Sequence, residues 1–459
     1  MTGHSPSQSA CPASGSPSPE TLESVLDGGG WNPARRRVIG LAASAVILDG
    51  LDNQILGFIV PSLTLEWGVD RFAFVPIIAA SLLAMSVGTA LAGRMGDRFG
   101  RRPTLIGCVA LFGIATLLSS ASSGLISLAL FRMIAALGLG GAMPNATAML
   151  AEYSMKRHRS TIVTLGIVCV PLGGLLAGVI ASAVLPGLGW RALLMIGGML
   201  PLLAAVLMAL LLPESPSFLA TRLERRGDLD KVLKHYGVKS SAIRFAENAT
   251  GGAQATGSIF DPALRRDTIV LWGIFFFCLL AVYSMFNWAP TMLAQAGYGI
   301  AAASAGLAAF NLGGVVGALL AAFLIDRLGS RTPMMLMAGG GAATSFLGAW
   351  AITHGVQPLG MQVIFVANGA CIAGLQVVLF ALAAGMYPAD CRATGVGAAL
   401  AIGRLGAVCS SAAGAVMLAL SADRFLLFVG ASMLVTGLTL GVLRRHLPRR
   451  AAGARQLAT

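Results

Sequence analysis

Asp49 and Asp52 stand in the middle of an apolar run that is long enough to cross a bilayer, VIGLAASAVILDGLDNQILGFIV from Val38 to Val60. An ionised Asp at the centre of such a helix costs ~2.5–3.5 kcal/mol on insertion scales. Spaced i and i+3, the two carboxyls share one helix face, a turn apart. They are expected to face a water-filled cavity or a positive partner rather than lipid. A carboxyl near a second anion and partly out of water binds a proton readily, so the chemistry on offer is reversible protonation. Counted from Arg37 at 1.5 Å per residue, the pair lies ~18–22 Å along the helix, near the midplane. The competing reading is structural: either carboxyl caps a neighbouring helix or pairs with an Arg for packing.

Two arginines lie at comparable depth. Arg132 sits inside the fourth apolar span, about two turns from one end, and Arg404 sits inside the eleventh, near its middle. Arginines this deep are rarely set against lipid. A guanidinium holds a carboxylate in a bidentate fork, so either can bind an anionic ligand. Either can equally form a standing salt bridge to Asp49 or Asp52. The sequence favours Arg404 for a ligand and Arg132 for charge relay, and leaves the alternative open. Tyr283, Asn287 and Trp288 in the seventh span, with Asn311, Asn368 and Gln376, add polar or aromatic groups within apolar surroundings. Each can serve a ligand or an interhelical hydrogen bond.

The rest of the chain reads as a vessel for these groups. Of its 459 residues, 56% are hydrophobic and only 11% charged, against about 25% charged in soluble domains. The mean hydropathy is +0.79, which points to an integral membrane protein. The 58 glycines suit helices packed closely in lipid. The seven cysteines are scattered without metal or disulfide spacing and read as small buried hydrophobes. After the first span, apolar spans follow at 74–93, 103–121, 125–149, 161–184 and 190–212, then at 268–294, 303–325, 333–352, 360–386, 394–418 and 424–443. This gives an all-α membrane protein of twelve crossings. The expected organisation is a disordered tail (1–34), a six-helix half (35–212), a central loop (213–267), a second half (268–443) and a basic tail (444–459).

The net charge of +13 does not argue for nucleic acid, because the basic residues cluster in every second connection. Arg35–Arg37, Arg94 to Arg102, Lys156 to Arg159, the central loop, Arg327 and Arg331, and Arg444 to Arg450 fall on one side. Arg71, Arg191 and Arg424 fall on the other. Both termini and the central loop are therefore expected in the cytoplasm.

The two halves repeat. GRMGDRFGRRP at 93–103 returns as AFLIDRLGSRTP at 322–333, and EYSMKRHRS at 152–160 is faintly echoed by MYPADCRAT at 386–394. GRMGDRFGRRP resembles the signature of the major facilitator superfamily between spans 2 and 3, and PES follows span 6 as it does there. The superfamily's plan is two six-helix halves with the ligand near the midplane. Within it, the chain resembles the aromatic acid:H+ symporters. That likeness rests on DGLDNQILGFIVPSL at 49–63, GLGLGGAMPNATAMLAEY at 136–153 and RATGVGAALAIGRLGA at 392–407.

The resemblance implies import of an aromatic carboxylate with H+ by alternating access, across a bacterial-type inner membrane. The proton gradient supplies the energy, with no cofactor, no metal and no enzyme activity, and a monomer is the expected state. Tyr283, Asn287, Asn311 and Gln376 would then touch the aromatic ring or its hydroxyl. The resemblance also implies gating roles. Asp97, Arg98, Gly100, Arg101 and Arg102 would hold helix ends together in one state and release them in the other. Asp326, Arg327 and Arg331 would form a weaker latch, because Ser330 replaces a basic residue. Glu152 and Arg392 match charged positions suited to gate ion pairs. The rival readings are the same fold moving a non-aromatic acid or a sugar or exporting a drug, a transporter-like sensor, and, least favoured, a membrane enzyme.

Overall fold

The protein's structure, a computed structural model, describes residues 31–220, 227, 259–388 and 391–448. Most of the expected N-terminal tail, central loop and C-terminal tail lies outside the described residues. The first helix shows how the sequence sets its elements. Asn32 accepts from the Arg35 N–H at 2.8 Å, Pro33 occupies the first turn, and Gly68 ends α1 (Pro33–Trp67) in the left-handed region at φ 62. A short 3-10 turn, Arg71–Phe74, leads into α2 (Val75–Phe99), followed by α3 (Arg101–Ser119) and α4 (Leu125–Tyr153).

Helical structure then runs unbroken in hydrogen bonding over Arg159–Leu211, 53 residues, with a non-helical break at Gly189 (φ 75). At 1.5 Å per residue that is ~80 Å, far beyond the ~30 Å hydrocarbon core. It is two crossings, α5 (159–188) and α6 (190–211). The second half comprises α7 (Pro262–Gln295), α8 (Ile300–Leu328), α9 (Arg331–Thr353), α10 (Pro358–Met386), α11 (Arg392–Leu420) and α12 (Ala422–Val442).

Packing repeats as the sequence does. In the first half α1 packs on α5, α2 on α4 and α3 on α6. In the second, α7 packs on α11, α8 on α10 and α9 on α12. Backbone-to-backbone approach sets the tightest pairs. A Cβ at Gly173 of α5 would lie 1.9 Å from the Ile47 carbonyl oxygen of α1, and one at Gly369 of α10 would lie 1.8 Å from that of Phe310 in α8. Only glycine permits such contact, and in lipid close packing is a main source of helix association. Between the halves α5 packs on α8, α1 on α7 and α2 on α11. Those seams enclose the acids and arginines.

Candidate functional site

Asp49 and Asp52 project from the middle of α1 and are 2% and 0% exposed. They do not share a partner. Asp52 is held by a standing network: Arg132 Nη1 donates to its Oδ2 at 3.1 Å, Arg132 Nη2 to its backbone carbonyl at 3.1 Å, and Thr116 to its Oδ1 at 2.5 Å. Arg132 from α4 is itself buried. An ion pair this deep persists when both charges are hydrogen-bonded, and removing one partner of such a pair costs ~3–5 kcal/mol.

Asp49 is different. Its Oδ1 is buried without a hydrogen-bond partner. It lies in the field of Asp52 and of Arg404, which comes from α11 in the other half. Arg404 is half-buried, and its Nη1 contacts the Met85 sulfur at 3.0 Å and the Tyr283 hydroxyl at 3.2 Å. Neither partner is anionic, and Arg404 forms no ion pair with any described residue. One arginine is thus committed to an acid, and the other faces an acid across the seam.

Met85 also lines a cavity at the seam of the halves, with Asn53 and Leu56 of α1, Ser81 and Leu82 of α2, Arg132 of α4 and Asn287 of α7. The space open to water centres there is about 20 Å³, enough for water but not for a ring. The Asn287 Nδ2 is buried without a partner. Tyr283 stands beside this region, edge-on to Phe286 at 5.8 Å. Asn311 lies elsewhere. It exchanges hydrogen bonds with Gln54 of α1, donating at 2.7 Å and accepting at 3.1 Å, and so joins the halves directly. Asn368 bonds Thr344 and Ser345 within its own half. Gln376 is half-buried on α10 and does not line the cavity.

The expected gating residues lie at one end of the bundle. Asp97 accepts from Arg101 at 2.7 Å, Arg98 lies 5.4 Å from the Phe99 ring centre, and Arg102 Nη2 donates to the Ala209 carbonyl at 2.6 Å. Gly100 takes φ 113, and a Cβ there would meet the Glu214 carboxylate at 2.3 Å. Glu214 is the organising residue that the sequence reading left without a role. It accepts from the backbone N–H of Arg102 at 3.0 Å and of Ser215 at 2.9 Å, placing an anion at the start of α3. Glu152 accepts from the Ser215 hydroxyl, and Arg392 donates to the Tyr387 carbonyl at 3.3 Å. Neither makes an ion pair among the described residues.

In the second copy Arg327 lies over Phe323 at 4.2 Å, and Asp326 has partners of its own. Ser330 is bound by the chain leaving α12. Its N–H donates to the Leu447 carbonyl at 3.1 Å, and the Leu447 N–H donates to its hydroxyl at 2.8 Å. Burial pushes the adjacent His446 below its usual range.

Other residues overlooked in the sequence are Thr116, Met85, Gln54, Asn53 and Ser81. All but Met85 carried a signal, since each is a polar group inside an apolar span.

Known proteins match this arrangement and sequence. The family profile of the Major Facilitator Superfamily matches residues 42–355. A gallate transporter of Pseudomonas putida is 35% identical over 395 residues, covering 85% of this chain and 87% of its own. The 4-hydroxybenzoate transporter PcaK of Pseudomonas aeruginosa is 34% identical over 398 residues, with 85% and 87% covered. The 3-(3-hydroxy-phenyl)propionate transporter of Escherichia coli is 32% identical over 414 residues, with 90% and 94% covered. In fold, the inward open xylose transporter XylE of E. coli aligns at a TM-score of 0.71 and 18% identity, covering 90% of this chain and 97% of that one. Twelve crossings in two repeated halves among the described residues, a signature loop clamped at a helix end and these matches make the chain a member of the Major Facilitator Superfamily, a multi-pass membrane transporter and not an enzyme.

Proposed function

We propose that this transporter imports an aromatic carboxylic acid together with at least one proton, by alternating access across a bacterial inner membrane, with both termini in the cytoplasm. The observation that carries this is the unequal pairing of the buried charges. Arg132 and Asp52 neutralise each other, while among the described residues Arg404 hydrogen-bonds a thioether and a phenol but no acid, and Asp49 keeps an unpartnered oxygen. A carboxylate substrate would take the Arg404 fork, and a proton would neutralise Asp49. Taken together the two events keep the net charge between the halves at zero and leave neither Arg404 nor Asp49 as an unpaired charge, which favours their rocking motion. The aromatic class is supported by the gallate, 4-hydroxybenzoate and hydroxyphenylpropionate transporters at 32–35% identity. Energy comes from the proton gradient, with no cofactor, and the working unit is a monomer.

The test is uptake of labelled 4-hydroxybenzoate and gallate into reconstituted vesicles. Accumulation should follow an imposed inward proton gradient and stop with a protonophore. Accumulation that survives collapse of the gradient would remove proton coupling, and no uptake of any aromatic acid would remove the substrate class.

A further inference from the structure

Arg404 and Asp49 bear opposite charges on opposite halves and act on each other across the seam, yet the two make no salt bridge. What the guanidinium meets instead is specific. Its Nη1 carries two N–H donors, and they have two neutral partners, the Met85 sulfur at 3.0 Å and the Tyr283 hydroxyl at 3.2 Å. Its Nε and Nη2 donate to no described residue. Those two atoms form the edge of a guanidinium that holds a carboxylate by two parallel hydrogen bonds. Met85 is firmly rooted. A Cβ at Gly140 of α4 would lie 2.0 Å from the Met85 carbonyl oxygen, which seats the α2 backbone directly on α4, and the Thr89 hydroxyl donates to the same carbonyl at 2.9 Å. The Met85 side chain is buried and reaches across the seam to Arg404. A thioether is a weak, uncharged acceptor, so it holds the guanidinium in place without neutralising it.

We propose that Met85 is a positioning residue for Arg404. With Tyr283 it occupies Nη1, leaves the Nε–Nη2 edge for the substrate's carboxylate and keeps the guanidinium from closing on Asp49. This rests on the proposed role of Arg404 as the carboxylate's partner and adds what holds that arginine ready. Tyr283 shares a half with Arg404, whereas Met85 reaches it from the half that carries Asp49. Without the Met85 side chain the arginine swings onto the acid, and a substrate then has to displace one carboxylate with another in order to bind.

The experiment is equilibrium binding of labelled 4-hydroxybenzoate and gallate to the purified full-length transporter, scaled to folded protein, with Asp49 present and replaced. Met85→Ala should weaken binding about tenfold or more, because the arginine is then spent on Asp49. In an Asp49→Asn background the same substitution should weaken it about threefold or less, because the competing anion is gone. A merely structural methionine would leave a cavity whose effect is equal in both backgrounds, and that outcome would overturn the proposal. Met85→Leu fills the same space and should bind within about threefold of the parent. Should the alanine variant fold poorly, Met85→Val carries the same comparison: weakening that depends on Asp49 supports the positioning role, and weakening that ignores Asp49 overturns it. Arg404→Lys separates the two readings. If it binds as tightly as the parent, or if the parent binds neither acid, the reading of Arg404 falls and the role of Met85 with it. If Arg404→Lys binds weakly while the Met85 variants ignore Asp49, the role of Met85 alone falls.

Discussion

Asp49 and Asp52 are one turn apart and the same in chemistry, yet the structure gives them opposite surroundings. Asp52→Asn should leave Arg132 buried against a neutral amide. We expect a loss of ~3–5 kcal/mol, seen as a lower melting temperature and less folded protein. Asp49→Asn replaces a carboxyl whose Oδ1 has no partner. It should yield folded protein at parent levels that exchanges substrate but does not accumulate it against a gradient, measured in vesicles per amount of folded transporter. Accumulation by this variant would reduce Asp49 to scaffolding. Arg404→Lys keeps the charge and loses the planar fork, so carboxylate affinity should fall about tenfold or more with little change in melting temperature. Affinity equal to the parent's would place the carboxylate elsewhere, with Arg132 the next candidate. All four charges were legible in the sequence, because charge at that depth is rare. Their pairing was not. It depends on how α1 is rotated against α4 and α11, which lie 80 and more than 300 residues away in sequence. Asn311 shows the same limit, since its partner Gln54 is 257 residues distant.

At the scale of elements, apolar length alone located the helices, because a bilayer demands ~20 apolar residues per crossing. The break at Gly189 was legible too, since the expected spans end at 184 and resume at 190. In the structure helical hydrogen bonding continues across it, and the backbone angle marks the turn. The loop between α2 and α3 was legible as GRMGDRFGRRP, but its anchor, Glu214, sits 112 residues beyond Arg102. The two acids of this loop should separate by experiment. Glu214→Ala removes the acceptor at the start of α3 and should cost ~0.5–2 kcal/mol of stability. Asp97 is 71% exposed, so Asp97→Asn should leave stability unchanged yet slow transport, if its pairing with Arg101 belongs to the transport cycle. The comparison to make is thermal melting beside initial uptake rate. A parent-like rate in Asp97→Asn would leave the loop a membrane-orientation signal.

Across the whole molecule, the two halves meet by unequal means at the two ends. At the end away from the basic loops, Arg71 donates from the first half to Gln295 at 2.5 Å and to the Leu418 carbonyl at 3.2 Å, both in the second half. At the basic end, the pairs Asp97–Arg101, Arg102–Glu214 and Ser330–Leu447 each stay within one half or join it to the chain that directly follows it. Arg71→Ala should therefore favour opening at its own end. An exposed polar contact is worth ~0–1 kcal/mol, so a cysteine introduced at Asn53 in a cysteine-free background should react about two- to fivefold faster with an impermeant thiol reagent added outside. An unchanged rate would mean that Arg71 does not hold that end shut.

The clamps at the basic end have one more implication. Glu214 closes the first half's loop with chain leaving α6, and Leu447 closes the second half's loop with chain leaving α12. Each of these two fastenings is thus made between one half and the chain that follows it. The transporter should therefore tolerate being made as two polypeptides, cut between residues 221 and 258 and expressed together. They should find each other through the α5–α8 seam and the Gln54–Asn311 bridge. A second fragment ending before His446 should fail to assemble, and co-purification of the two fragments through a tag on one would show both results.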